Sequence, residues 1–324
     1  MVRIILLSIF LSGSVFAQQA GDGTYRVEQE RKVTHDINDE QLVTYTILDR
    51  EDREVYSVTR EVTYDAAFPA AGVFASGRLV LADSFTGTVE FYDTSGDLLK
   101  SVVLPDADDV EHERKIDFSF HNDRAAFLIS EPDVDYVRFV VFNEDGELLT
   151  AENIDAGYST GIVYAPDGSL LALGTYSWVG KSIEHRSFFI TDHGRIAGDI
   201  AAGFENGSFS EDGSEFIGYS NSQAHLIDTR EFTIRWSHKV DGNNMIIEAA
   251  WNTEGIVILS SQKPSLHDGG WRYENPVVKT LEQEAGNVVT EQRFPGVTFT
   301  SGTFRRDNDE IDLLLDDSVH PLDR

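Results

Sequence analysis

The chain has 324 residues, is 41% hydrophobic and 25% charged, and contains no cysteine, which excludes disulfides and a lipid-bearing cysteine. Its 56 Asp and Glu stand against 26 Lys and Arg, a formal charge of −30. Such a surface repels nucleic-acid phosphates and anionic headgroups, so nucleic acid is excluded as a partner.

The first element is a targeting segment. MVRIILLSIFLSGSVFA carries one base, Arg3, an apolar run from Ile4 to Phe10, and small residues at Val15 and Ala17. That is the layout of a secretory signal peptide over residues 1–17, cleaved after Ala17. Ser8, Ser12, Gly13 and Ser14 interrupt the run, so it is too short to span a bilayer, and no membrane insertion is expected after cleavage. The protein is expected to be exported, to the periplasm or the outside. Residues 18–40 then read as an arm or an extra strand.

From residue 41 two kinds of hairpin alternate. QLVTYTILDREDREVYSVTREV (41–62) alternates apolar and polar residues about a polar turn, as a half-buried antiparallel pair does. From Ala70 a second kind recurs, an aromatic residue followed by an Asp, Gly, Asn or Glu turn and an apolar run. Its aromatics are Phe74, Phe120, Tyr164, Phe209, Trp251 and Phe304, spaced 42 to 53 residues apart. Between them lie further hairpins of the first kind at 88–104, 136–154, 185–200, 223–240 and 276–294. Each period thus holds four antiparallel strands, the content of one β-propeller blade. The fold expected is all-β: a single six-bladed propeller over 41–324, with 41–62 and 299–317 completing one sheet that closes the ring. Seven blades, with 18–38 enlisted, is the alternative.

The units YAPDGSLLALGTYS and FSEDGSEFIGYS resemble the WD40-like and TolB-type repeats of bacterial six-bladed propellers, and FYDTSGDLLKSVVLP is similar to the outer hairpin of NHL-type propellers. The resemblance covers about residues 41–318. It implies architecture and leaves function open, because such folds host scaffolds, binders, hydrolases and lyases.

Chemical motifs are sparse. Gly157-Tyr158-Ser159-Thr160-Gly161 matches G-x-S-x-G, but the hydrolase elbow needs a helix after the serine and here a strand follows. The acidic stretch Asp106–Glu113 lacks the order of a calcium loop. The nine histidines show no zinc spacing. Three residues before each aligned aromatic stand Ala71, Asp117, Gly161, Asn206, Glu248 and Ser301. Inner strands line a propeller's channel, so Asp117, Asn206 and Glu248 form one candidate oxygen-ligand set for a divalent cation. Lactonase-type propellers hold a metal with such residues, and this arrangement distantly resembles theirs.

In a blade the second-to-third-strand loops and the connections between blades emerge on one face. The long segments 262–276, 176–185, 131–136 and 105–114 all fall there, while DTSG, NEDG and TDHG on the other face are tight. Long loops on a rigid scaffold are where binding residues gather. The candidate ligand-binding residues are therefore Trp178, Lys181, His185, His267, Trp271, Arg272 and Tyr273. The reading is an exported, non-catalytic binding module for a protein, peptide or carbohydrate, with no cofactor. The alternative is a metal-dependent hydrolase or lyase at the channel mouth.

Overall fold

A computed structural model describes residues 18–19, 24–33, 41–62, 70–83, 86–104, 115–130, 134, 136–253, 255–267, 270–307, 310–316 and 318–322. The segment 1–17 and the acidic stretch 106–113 lie outside the described residues. Every element among those described is a β-strand, and no helix is long and apolar enough to cross a membrane.

The strands form seven antiparallel sheets in chain order. Sheet 1 holds β1 (Gln18–Gln19), β2 (Tyr25–Val33), β3 (Gln41–Asp49) and β4 (Glu54–Val62). Sheet 2 holds β5 (Ala70–Val73), β6 (Leu79–Asp83), β7 (Thr88–Tyr92) and β8 (Leu98–Val103). Sheet 3 holds β9 (Lys115–His121), β10 (Arg124–Ser130), β11 (Val137–Asn143) and β12 (Leu148–Ile154). Sheet 4 holds β13 (Tyr158–Tyr164), β14 (Leu170–Val179), β15 (Ser182–Thr191) and β16 (Ile196–Ile200). Sheet 5 holds β17 (Asn206–Phe209), β18 (Glu215–Tyr219), β19 (Gln223–Asp228) and β20 (Thr233–Lys239). Sheet 6 holds β21 (Asn244–Asn252), β22 (Gly255–His267), β23 (Gly270–Leu281) and β24 (Val288–Arg293), with β25 (Thr298–Phe299) added on β23. Sheet 7 holds β26 (Gly302–Asp307), β27 (Glu310–Leu315) and β28 (Ser318–Pro321).

Among the described residues, six apolar clusters join the seven sheets, each shared by two consecutive sheets. The period of two along a strand makes this work. In β10, Phe127 and Ile129 face sheet 2, while Ala126 and Leu128 face sheet 4. In β18, Phe216 packs toward sheet 4 and Ile217 toward sheet 6. Middle strands are buried on both sides, and so read as unbroken apolar runs. Most of the aligned aromatics sit at or just past the ends of the first strands, and Phe120 lies edge-on to Phe74 of the preceding sheet's unit at 5.9 Å. Glu215, nearly buried, ties sheet 5 to sheet 6 by accepting from Gln283, and Arg235 pairs with it at 2.6 Å.

One expectation is corrected. The hairpin 41–62 does not share a sheet with 299–317. It pairs with β2 over nine residues, from Tyr25↔Asp49 to Val33↔Gln41. The physical reason is Val27, which is buried with Val43, Tyr45 and Ile47 against sheet 2, with Tyr25 packed alongside. Such a strand has few apolar positions and lacks the aromatic-turn-apolar mark of the other first strands. The sheet count is seven, where six blades were expected.

Candidate functional site

The tight turns are built by local carboxylates. Asp93 accepts from the Ser95 and Asp97 backbone N–H at 2.8 and 3.0 Å, which closes DTSG without further chain. At the opposite ends of the sheets two hairpins outgrow their neighbours. Segments 176–185 and 262–276, expected as loops, are instead built into ladders continuing β14–β15 and β22–β23. The first runs through Tyr176↔His185 and Trp178↔Ile183 to Val179↔Ser182. Its two-residue turn, Gly180-Lys181, has Gly180 at φ 66°, open to glycine at no steric cost. The second passes Ser265↔Arg272 and Leu266↔Trp271 to His267↔Gly270. β-branched and aromatic residues in both explain why they stay in strand geometry.

Trp178 is 62% exposed, Leu266 is 64% exposed, and Val179 and Ile183 are exposed too. Lys181 and Arg272 are also exposed, whereas Trp271 is half-buried. Tyr273 is committed elsewhere: its ring lies 5.2 Å from Phe299, within the cluster joining sheets 6 and 7, and burial pushes its hydroxyl pKa up. The side chain of His267 lies outside the described residues. The expected site residues thus fall into two groups, on sheet 4 and on sheet 6, with sheet 5 between them.

At the foot of the sheet 4 hairpin lies a cleft of about 200 Å³. Its walls include His185 from β15, Glu205 from the connection into sheet 5, Asn221 and Ser222 from the β18–β19 loop, and Gln223 at the start of β19. Sequence reasoning found His185 and missed the others, which only the approach of two sheets brings together. Glycines permit that approach. A Cβ on Gly161 would sit 2.5 Å from the Glu205 carbonyl oxygen, and one on Gly174 would sit 2.2 Å from that of Phe204. Gly161 and Gly174 are cross-strand partners, so they form one bare patch of backbone. Across it the Thr160 hydroxyl donates to the Phe204 carbonyl.

Asp117 accepts from the Ser159 hydroxyl at 2.6 Å and pairs with Lys115 at 3.0 Å. Glu248 accepts from the Phe304 N–H at 2.9 Å, and burial pushes its carboxyl above the ordinary 4.5. Both ties reach the first strand of the next sheet. Asn206 is exposed at the start of β17. No group of three His, Asp or Glu that could hold a metal ion occurs among the described residues. Ser159 is 1% exposed within β13 and receives a bond from Ser130 at 2.9 Å. It fastens sheet 4 to sheet 3, and the elbow its motif suggests is absent.

No protein-family model matches the chain, and no curated protein matches it. Solved structures do. The Dos1 propeller is similar at 14% identity and a TM-score of 0.56, over 85% of this chain and 71% of that one. The fold is a β-propeller. BamB from Moraxella catarrhalis is similar at 14% identity and a TM-score of 0.54, over 94% of this chain and 82% of that one. The dihydro-heme d1 dehydrogenase NirN is similar at 15% identity and a TM-score of 0.61; 94% of this chain is covered, but only 61% of that one. At these identities the likeness is one of fold. The extended β14–β15 and β22–β23 hairpins are the part that the repeat does not explain.

Proposed function

We propose that this propeller is an exported, non-catalytic interaction module that docks its partner on the face bearing the β14–β15 and β22–β23 hairpins. In this reading each sheet is a blade, and sheet 7 meets sheet 1 to complete a ring of seven. The observation that carries the function is the exposure of Trp178, Val179, Ile183 and Leu266 on ladders that extend past their own sheets. Apolar side chains projected on rigid hairpins, away from any cluster, lower the free energy only when a partner covers them. A partner protein suits such a surface, since aromatic anchors dominate protein interfaces.

The test is to replace residues 177–184 with Asn-Gly, a two-residue turn that joins Tyr176 directly to His185. Cross-linking with the mature protein in its own extract, with and without the replacement, reads the result. Loss of a defined partner at unchanged melting temperature is expected. Retention of every partner would overturn the reading. The export part is checked by mass spectrometry of the secreted chain, which should begin at Gln18.

A further inference from the structure

The cleft between sheets 4 and 5 has a mixed polar and apolar lining, and the Thr160 hydroxyl in its wall is already donated to the Phe204 carbonyl. No partner is seen among the described residues for the Glu205 carboxylate or for the side chains of Asn221, Ser222 and Gln223, all lining one space. Other carboxylates of this chain are committed: Asp93 holds a turn, Asp117 holds Ser159, and Glu215 holds Arg235. No lysine or arginine lines the cleft. Glu205 is the one carboxylate residue in its lining, beside His185 and the polar Asn221, Ser222 and Gln223, on a body of net charge −30.

The hairpin adds a second feature. Tyr176↔His185 and Trp178↔Ile183 are cross-strand partners two residues apart, so these four side chains share one side of the ladder. His185 also lines the cleft, which places the Trp178–Ile183 pair on the ladder side that rises from it.

We propose that this cleft seats the cationic side chain of an arginine or lysine from a partner's peptide segment, whose neighbouring apolar residue lies across Trp178 and Ile183. This rests on the docking reading above and names its partner's chemistry. Attraction toward an acidic body favours a cation over an anion at every distance. Glu205 supplies the charge-assisted hydrogen bond, and the amide and hydroxyl oxygens accept the remaining N–H groups. A sugar ring is disfavoured, because it needs a free aromatic face inside the cleft. The aromatic there, Phe204, is buried, and Tyr158 and Tyr176 stack on each other at 5.2 Å.

The experiment titrates the mature protein with acetyl-Leu-Arg-Leu amide, the same peptide with citrulline for arginine, and a panel of neutral oligosaccharides. The arginine peptide should bind, and more weakly as salt rises. Glu205→Gln and the citrulline exchange should each weaken binding by roughly tenfold. Because Glu205 is exposed, the variant's melting curve should match wild type. Equal binding of both peptides, indifference to Glu205→Gln, or binding of oligosaccharides alone would each overturn the proposal. If these arms fail while the hairpin replacement still loses its partner, the cleft assignment falls and the docking reading stands. If the arginine peptide binds through Glu205 while the replacement keeps every partner, the docking reading falls instead.

Discussion

His225 shows what a single polar side chain does inside this wall of strands. It is 6% exposed in β19, its Nδ1 lies 2.7 Å from the Ser237 hydroxyl, and its Nε2 is buried with no partner among the described residues. Burial first, then the charge of Lys239, lowers its pKa below the ordinary 6.5. The unfolded chain therefore takes up a proton more readily than the folded one. Its contribution to stability is intact above pH 6.5 and is lost as pH falls from there through the folded value. His225→Leu should flatten this part of the profile, so that stability measured by urea unfolding at pH 7.5 and 5.5 drops less than in wild type. An equal drop in both would mean that His225 titrates freely in the fold.

Among elements, the connection from β16 to β17 decides most about the site. Phe204 and Glu205 run over the patch left bare by Gly161 and Gly174, and Glu205 N–H donates to the Tyr219 carbonyl at 2.9 Å. The neighbour that a new Cβ would strike is backbone, which cannot rotate away. Gly161→Ala should thus cost about 2 kcal/mol, in the range for overpacking a core. It should also weaken the arginine peptide, because the displaced connection carries Glu205. Denaturant midpoints and the peptide titration check both, and a loss under about 0.5 kcal/mol would show the connection free to move.

For the whole molecule, stability is a sum of shared faces. Sheet 7 contributes Leu313 and Leu315 to a cluster with Leu259, Val278 and Phe299 of sheet 6. Deleting residues 302–324 exposes that cluster, and each fully buried aliphatic side chain is worth about 2 kcal/mol. The truncated protein should melt well below wild type in calorimetry. An unchanged melting temperature would refute the packing of sheet 7 on sheet 6.

The sequence by itself determined the all-β class, the four-stranded period and the inner aromatics, because a strand buried on both faces must read as an apolar run and a tight turn must carry Asp, Asn or Gly. It also marked the segments that outgrow the tight turns. It showed β2 only within an arm or an extra strand ahead of the repeats, because Val27, which is buried against sheet 2, stands in a mostly polar segment with no aromatic-turn-apolar mark. It left the β14–β15 and β22–β23 extensions as loops, because alternation without a burying face looks like any polar connector. It placed Tyr273 with the ligand residues, although that ring is drawn onto Phe299 when β25 joins β23. The cleft was decided only by tertiary structure: His185, Glu205 and Asn221 are separated along the chain, and they meet because glycines at 161 and 174 let the connection from β16 to β17 lie against the backbone of sheet 4.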